Sequence, residues 1–182
     1  MLKTFKKYRF DPDEVKILMA SIEDYDVVQN MAKFYAYDLS RWCGFISSDW
    51  EFPDDGMYQS FDTKIYFTDD EKSAYLVKVG AELAGFVLLN RESVMNHKYN
   101  NVGEFFITAK FQGTGLGELV AHNVFNRYKG GWEVAVIPEN YPAQKFWQKT
   151  ISNFTKGLFK KEISIVDYDE HQPERVIFSF NV

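Results

Sequence analysis

The sequence predicts an α/β (α+β) fold, a mixed sheet covered by helices, and three observations carry that prediction. Seven short apolar runs have the length and residue types of strands. Three longer segments place apolar residues at helical spacing. Turns separate them in the order β-α-loop-β-β-β-α-β-α-β-β, with no repeat, low-complexity tract or linker to divide the chain.

The first strand is expected at residues 16–20. Ser21 and Asp24 then form a capping-box pattern, with Asp in place of the usual Glu or Gln. The helix that follows carries Val27, Val28, Met31, Phe34 and Tyr35 on one stripe, and Asp38 falls on the same stripe. Residues 41–68 read as loop with short helix. They are dense in aromatics, which are expected mainly as loop packing and secondarily as a binding wall. Strands at 73–79 and 83–91 flank the hairpin Gly80-Ala81-Glu82. A third strand occupies 102–108, followed by a glycine-rich turn and a helix over 116–128. Gly130-Gly131 stops that helix before a strand at 132–137. Asn140 or Tyr141 caps the next helix, with Pro142 in its first turn, where a missing N–H has no consequence. Its inner face holds Ala143, Phe146, Trp147, Thr150 and Ile151, and strands at 160–166 and 175–180 complete the chain.

Composition narrows the function classes. The 182 residues fit one domain, 1–182, with a net charge of −5 and 26% charged residues. That balance argues against duplex nucleic acid, whose binding neutralises phosphates with Lys and Arg, and it favours a cationic partner. No apolar stretch reaches the roughly 18 residues of a membrane span. The basic start, residues 1–10, lacks the apolar core of a signal peptide. The expectation is a cytoplasmic protein with no membrane association. One cysteine, Cys43, excludes an internal disulfide and a Cys-based zinc cluster. With no His near it in sequence, buried packing is the favoured reading over a nucleophilic one. His97, His122 and His171 lack metal-ligand spacing, so no metal is expected, and His122 is expected on the exposed side of its helix.

The segment Phe111-Gln112-Gly113-Thr114-Gly115-Leu116-Gly117-Glu118 is the most specific feature. A glycine turn between strand and helix presents free N–H groups at the positive end of the helix dipole, a site for a phosphate or pyrophosphate. A Walker A loop requires Lys-Ser or Lys-Thr after the glycines, and Glu118 stands there. The dinucleotide fingerprint requires glycine at 118, which Glu118 also fails. Simple chain reversal is the structural alternative. What remains is Gln112-x-x-Gly115-x-Gly117, and one strand later Asn140-x-x-Ala143-x-x-Phe146-Trp147.

These two motifs, in this order and on these elements, resemble the GNAT superfamily of acyl-CoA-dependent N-acetyltransferases. The resemblance spans about 45 residues by motif, and in the first 100 it rests on pattern alone. It implies a GNAT-like mixed, mostly antiparallel central sheet with helices on both faces. It also implies acetyl-CoA as acyl-donor cosubstrate. The backbone of Gln112, Gly113, Thr114, Gly115, Leu116 and Gly117 would then hold the CoA pyrophosphate. Phe106, Ile107 and Thr108 would pair with the pantetheine arm like an added strand. That arm enters a splay between two strands in this family, with Asn140, Ala143 and Phe146 on its far side. Many members carry a tyrosine where this chain has Trp147, and indole cannot protonate a leaving thiolate. Tyr141 replaces it only if the helix begins unusually. A thiol near the reference pKa of ~8.5 leaves without help, so the departure weakens the acid role more than catalysis.

Glu104 is the candidate base. By alternation it shares a face with Val102, Phe106 and Thr108 in an otherwise apolar, central strand. A carboxylate there needs partners or a raised pKa; an ion pair or a solvent-reaching pleat is the structural alternative. A primary amine of pKa ~10.4 is almost wholly protonated at neutral pH, so a carboxylate can anchor the ammonium and accept its proton. Strand N–H groups near Ile107 and Thr108 are natural oxyanion donors. Asp38 could contact a cationic substrate, though pairing with Arg41 at the helix end is the commoner fate. Asp49, Glu51, Asp54 and Asp55 read as a solvated acidic rim. The expected activity is acetyl transfer to a small primary amine by direct attack in a ternary complex. The rivals are a protein or peptide acceptor, and a non-catalytic acyl-CoA-binding or interaction domain. The oligomeric state is left open, a homodimer included.

Overall fold

The computed structural model describes residues 10–182. Residues 1–9, and with them most of the basic start read against a signal peptide, lie outside the described residues. Seven strands form a single sheet: β1 (Val15–Met19), β2 (Ser73–Val79), β3 (Glu82–Asn90), β4 (Asn100–Ile107), β5 (Gly131–Val136), β6 (Phe159–Ile165) and β7 (Glu174–Asn181). Their spatial order is β1-β2-β3-β4-β5-β7-β6, and only the β4–β5 pairing is parallel. The mixed, mostly antiparallel expectation is met.

Helix α1 (Tyr25–Cys43) lies on one face of this sheet, with the short α2 (Ile65–Thr68) beside it. Val28, Met31 and Ala32 of α1 pack on Leu76, Phe86, Leu88 and Phe106. Helices α3 (Leu116–Arg127) and α4 (Tyr141–Thr155) cover the other face. There Leu116, Val120, Phe125, Trp147 and Ile151 meet Val87, Val134 and Phe178. Burying either set removes several large apolar side chains from water, at roughly 1.5–3 kcal/mol each before chain entropy is counted.

The terminal signals act as read. The Ser21 N–H donates to the Asp24 carboxylate at 2.9 Å, on a short turn leading into α1. Asn140 caps α4, its side-chain oxygen accepting the Ala143 N–H at 3.1 Å. Two placements differ from expectation. Phe34 is 66% exposed, because the buried stripe of α1 follows Val28, Met31, Ala32 and Ala36, and position 34 turns past its edge. His122 is half-buried between α3 and α4, its ring Nε2 at 2.9 Å from the Thr150 carbonyl and its face 5.2 Å from Phe154. A position opposite the sheet-facing stripe of α3 still meets the neighbouring helix.

One irregularity decides the direction of a functional side chain. Across the β3–β4 ladder, Leu88 pairs with Glu104 and Leu89 with Val102, which leaves Gly103 as an extra residue. Simple alternation would put Val102 and Glu104 on one face. With the bulge, Val102 packs in the α3/α4 core, whereas Phe106 packs under α1. Glu104 therefore shares a face with Phe106 but not with Val102. Glycine at the bulge leaves room for the Tyr66 hydroxyl and the Asn90 amide, which a Cβ would meet at 2.7 and 2.8 Å and push aside.

Candidate active site

β4 and β5 run side by side for only three pairs, Asn100↔Trp132, Asn101↔Glu133 and Val102↔Val134. Both strands continue, to Ile107 and Val136, without further pairing to each other. The sheet is split at its centre, and the backbone of β4 beyond Val102 is open on that side. The Thr108 N–H donates to the Ala84 carbonyl at 2.9 Å, so that amide faces β3. By alternation the amides of Phe105 and Ile107 face the split. The expected role of Thr108 as an oxyanion donor or pantetheine partner through its N–H is thereby removed. The carbonyl of Ile107 is taken as well, by the Gln112 amide at 2.8 Å. The Ile107 N–H is the group left facing the opening.

The split opens into a cleft of about 580 Å³ lined on one side by Phe105, Phe106 and Ile107. The glycine turn (Gln112, Gly113, Gly115, Gly117) and α4 (Asn140, Ala143, Phe146) complete it. The turn is held in shape by buried Thr114, whose hydroxyl donates to the Phe111 carbonyl at 2.6 Å and lies 3.4 Å from the Leu116 N–H. Gly113 and Gly115 take φ of 70° and 95°, in the left-handed region that favours glycine. Among the described residues no acceptor meets the N–H groups of Gly113, Gly115 and Gly117. The Leu116 side chain is fully buried, so only its backbone faces the turn. The Gln112 side chain is tied back to the strand end and its N–H to the Ala109 carbonyl at 3.3 Å. Gln112 is thus a strap for the turn and not a phosphate donor.

The missing side chain of Gly117 serves packing between two helices. A Cβ there would sit 3.1 and 3.2 Å from the Phe146 ring, not in the open cleft. Its smallness lets α3 approach α4, and a valine would displace Phe146 before it met any phosphate. Phe146 in turn stacks against Phe105 and Trp147, with ring centroids 5.7 and 4.8 Å apart. Trp147 is a core ring. Tyr141, offered as its replacement, stands 66% exposed at the start of α4 and lines neither the cleft nor the smaller cavity of about 310 Å³ beside it, so nothing in this geometry supports it as the acid.

Glu104 lies under α1. Although the residue is only partly buried, desolvation pushes its carboxyl up to about 7, against smaller lowering effects of a Tyr35 hydrogen bond and the Arg175 guanidinium. Tyr66 on α2 also faces it; burial foremost and the Glu104 charge next push that phenol up. Tyr35 is raised well above its usual range by the same two causes. A carboxyl near 7 is half ionised at neutral pH, which suits proton transfer.

Glu104 itself lines neither of the two cavities beside it, and Tyr35 lines both. The second cavity, about 310 Å³, lies on the far side of Tyr35 and Leu39 from the cleft. Trp50, Tyr58 and Phe61 form its aromatic wall, and Asp49, Asp169 and His171 are among its polar groups. These three rings of the aromatic loop therefore face a cavity rather than serving loop packing alone. Asp38 lines the larger cleft with Arg41 and Trp42 and is absent from the second cavity. No ion pair joins Asp38 to Arg41 among the described residues. Buried Arg175 organises the loop at the cavity floor. Its guanidinium pairs with Asp169 at 2.6 Å and also donates to the Gln172 carbonyl. Cys43 is fully buried, which pushes its thiol up to about 11 and removes it as a nucleophile at neutral pH.

Sequence reasoning missed Tyr35, Tyr66 and Arg175 as neighbours of Glu104. One signal was available: a tyrosine on an inward helical stripe brings a hydroxyl that needs a partner.

Residues 32–151 match the acetyltransferase (GNAT) family profile. The chain belongs to the GNAT acetyltransferase family, and its activity class is acyl-CoA-dependent acetyl transfer. No curated protein matches it by sequence. Solved structures agree with the family at the level of fold. An acetyltransferase from Thermus thermophilus is 15% identical, with 92% of this chain and 97% of that chain covered and a TM-score of 0.64. A ribosomal L7/L12 α-N-protein acetyltransferase in complex with CoA is 12% identical (93% and 94% covered, TM-score 0.63). A dodecameric spermidine N-acetyltransferase from Vibrio cholerae is 14% identical (93% and 94% covered, TM-score 0.58).

Proposed function

We propose that the protein transfers the acetyl group of acetyl-CoA to a small primary amine by direct attack in a ternary complex. The observation that carries this reading is the parting of β4 from β5 beside a glycine turn with unpaired N–H groups. An extended pantetheine arm fits the split by pairing with the backbone of Phe105. Its pyrophosphate fits the N–H groups of Gly113, Gly115 and Gly117 at the positive end of α3. The Ile107 N–H is placed to stabilise the oxyanion. The acceptor occupies the second cavity, whose size suits a small molecule. Aromatic rings together with Asp49 and Asp169 suit an ammonium group. Asp38, on the cofactor side, is left at most a peripheral part in acceptor binding.

Among structures of this fold, both a spermidine and a ribosomal-protein acetyltransferase occur. The volume of the second cavity, about 310 Å³, favours the small acceptor over a peptide. Two measurements test the proposal. Calorimetry should find CoA binding at least about tenfold tighter than pantetheine, because one charge-assisted hydrogen bond contributes about 1.5–3 kcal/mol. Equal affinities would remove the pyrophosphate from the glycine turn. Thiol release from acetyl-CoA should then respond to small primary amines more than to peptides. Release with peptides alone would transfer the acceptor to protein.

A further inference from the structure

Glu104 is the residue with the right protonation chemistry, yet its carboxylate opens onto neither cavity. An amine held beside the Trp50–Tyr58–Phe61 wall meets Tyr35 first, and Tyr35 also borders the cofactor cleft. We propose that the Tyr35 hydroxyl, which borders both cavities, is a catalytic relay, passing to Glu104 the proton of an acceptor whose amine reaches past Tyr35 toward the thioester in the cleft. The inference rests on the acetyl-transfer reading above and adds the path that it lacks.

The ring of Tyr35 is fixed edge-on against Phe86 and Phe106, with centroids 6.0 Å away in both cases, so its hydroxyl is aimed by packing rather than left to rotate. The Tyr35 phenol and the Glu104 carboxyl interact, each shifting the other's proton affinity. In the relay, an ammonium acceptor gives one proton to Tyr35 Oη as the Tyr35 proton moves onto the Glu104 carboxylate. The phenol is whole again at the end of the transfer. It need never ionise, which suits a hydroxyl whose anion is strongly disfavoured by burial and by Glu104. The freed nitrogen lone pair attacks the thioester carbon; the C–N bond forms, the C–S bond breaks, and CoA leaves as thiolate. The second nitrogen proton goes to that thiolate, giving amide and thiol. Glu104 returns its proton to solvent by the reverse path once products leave. No acid on α4 is needed, in keeping with Trp147 as a core ring and Tyr141 at the surface.

Tyr35→Phe deletes the hydroxyl and keeps the ring that packs on Phe86 and Phe106, so the fold should persist. With butylamine, phenethylamine and 1,4-diaminobutane as acceptors, kcat/KM at pH 7 should fall about 10²-fold, the scale for losing a positioned proton-transfer group. CoA affinity by calorimetry should be unchanged. Because both residues lie on one path, Tyr35→Phe combined with Glu104→Gln should be no slower than the slower single variant. The Glu104 carboxyl, followed by carbon-13 NMR, should titrate higher in Tyr35→Phe, since a hydrogen bond to its charged form is lost. The other groups that face it, Tyr66 and Arg175, remain, and Cys43 beyond Tyr35 stays neutral over this range. An unmoved titration, or losses that multiply to about 10⁴-fold, would overturn the relay. Wild-type turnover with an undiminished Tyr35→Phe rate overturns the relay and leaves acetyl transfer standing. A wild type that releases no thiol with any amine overturns both.

Discussion

Two carboxylates sit in the middle strands of the sheet, Glu104 on β4 and Glu133 on β5, and their surroundings give them opposite characters. Glu133 is fully buried and fully served. It accepts the Ser93 hydroxyl at 2.6 Å, the Val94 N–H at 2.8 Å and the Met95 N–H at 2.9 Å, which pins the loop between β3 and β4. Glu104 is less buried by area but is supplied mainly with burial, one phenol and a guanidinium acting from a distance. The comparison teaches that a carboxylate inside a sheet does not by itself mark a site. What matters is whether the fold surrounds it with hydrogen-bond donors that tie it into the structure, as at Glu133, or mainly with burial that leaves the proton affinity high, as at Glu104.

The comparison can be broken most forcefully at Glu133. Glu133→Ala would leave three donors without an acceptor, the Ser93 hydroxyl buried and the Val94 and Met95 N–H groups part-buried, so urea denaturation should show a loss of about 4 kcal/mol, taking roughly 1–3 for each orphaned group. A loss below about 1 kcal/mol would mean that the loop is not anchored there.

Next in size is a pH effect at Glu104. Its folded pKa is raised, so the folded state binds the proton more tightly than the unfolded chain does. Its contribution is fully present below the usual value of 4.5 and is lost as pH rises to about 7. Wild type should therefore lose up to about 3 kcal/mol across that window relative to Glu104→Gln, which has nothing to titrate. Parallel stability profiles for the two proteins would show that burial does not raise this carboxyl.

Glu104→Gln should also lower kcat/KM about 10²-fold near neutral pH, equivalent to about 2.7 kcal/mol, with CoA affinity unchanged. The deficit should narrow as pH approaches the amine's own pKa, where free amine needs no proton acceptor. A pH–rate profile on both proteins reads this directly, and wild-type rates at pH 7 would make Glu104 structural.

The smallest effect sharpens the contrast. Ser93→Ala removes one of the three donors to Glu133 and should cost about 1 kcal/mol of stability without touching turnover. A change in the pH–rate profile of that variant would couple the two carboxylates after all.

Much of the fold was legible before the structure because its signals are local. Alternation marked the strands, the Gly80 turn marked the hairpin, and Asn140 and Pro142 marked the start of α4 within a residue. The glycine turn was legible as a turn, but its division of labour was not. Gln112 was read as a phosphate contact and proves to be a strap on Ile107. Gly117 was read as one of the backbone groups facing the phosphate, and its missing side chain proves to be room for Phe146. In both cases the partner lies outside the motif, five and twenty-nine residues away in sequence.

What the sequence determined by itself was the order of elements, the strand–turn–helix with its unpaired amides, and the presence of an ionisable group within an apolar strand. These follow from spacing, caps and backbone preference, which act within a few residues. Only the tertiary structure decided which way that group points and what it touches. The bulge at Gly103 exists only in register with β3, and it turns Glu104 toward Tyr35 and Tyr66. The parting of β4 and β5 after Val102 depends on two strands that meet only when α3 is folded between them. The second cavity gathers α1, the aromatic loop and residues 169–172, which no periodicity connects. Cross-strand register and the packing of distant segments are set by the whole sheet closing on its two helical layers, and no local pattern encodes them.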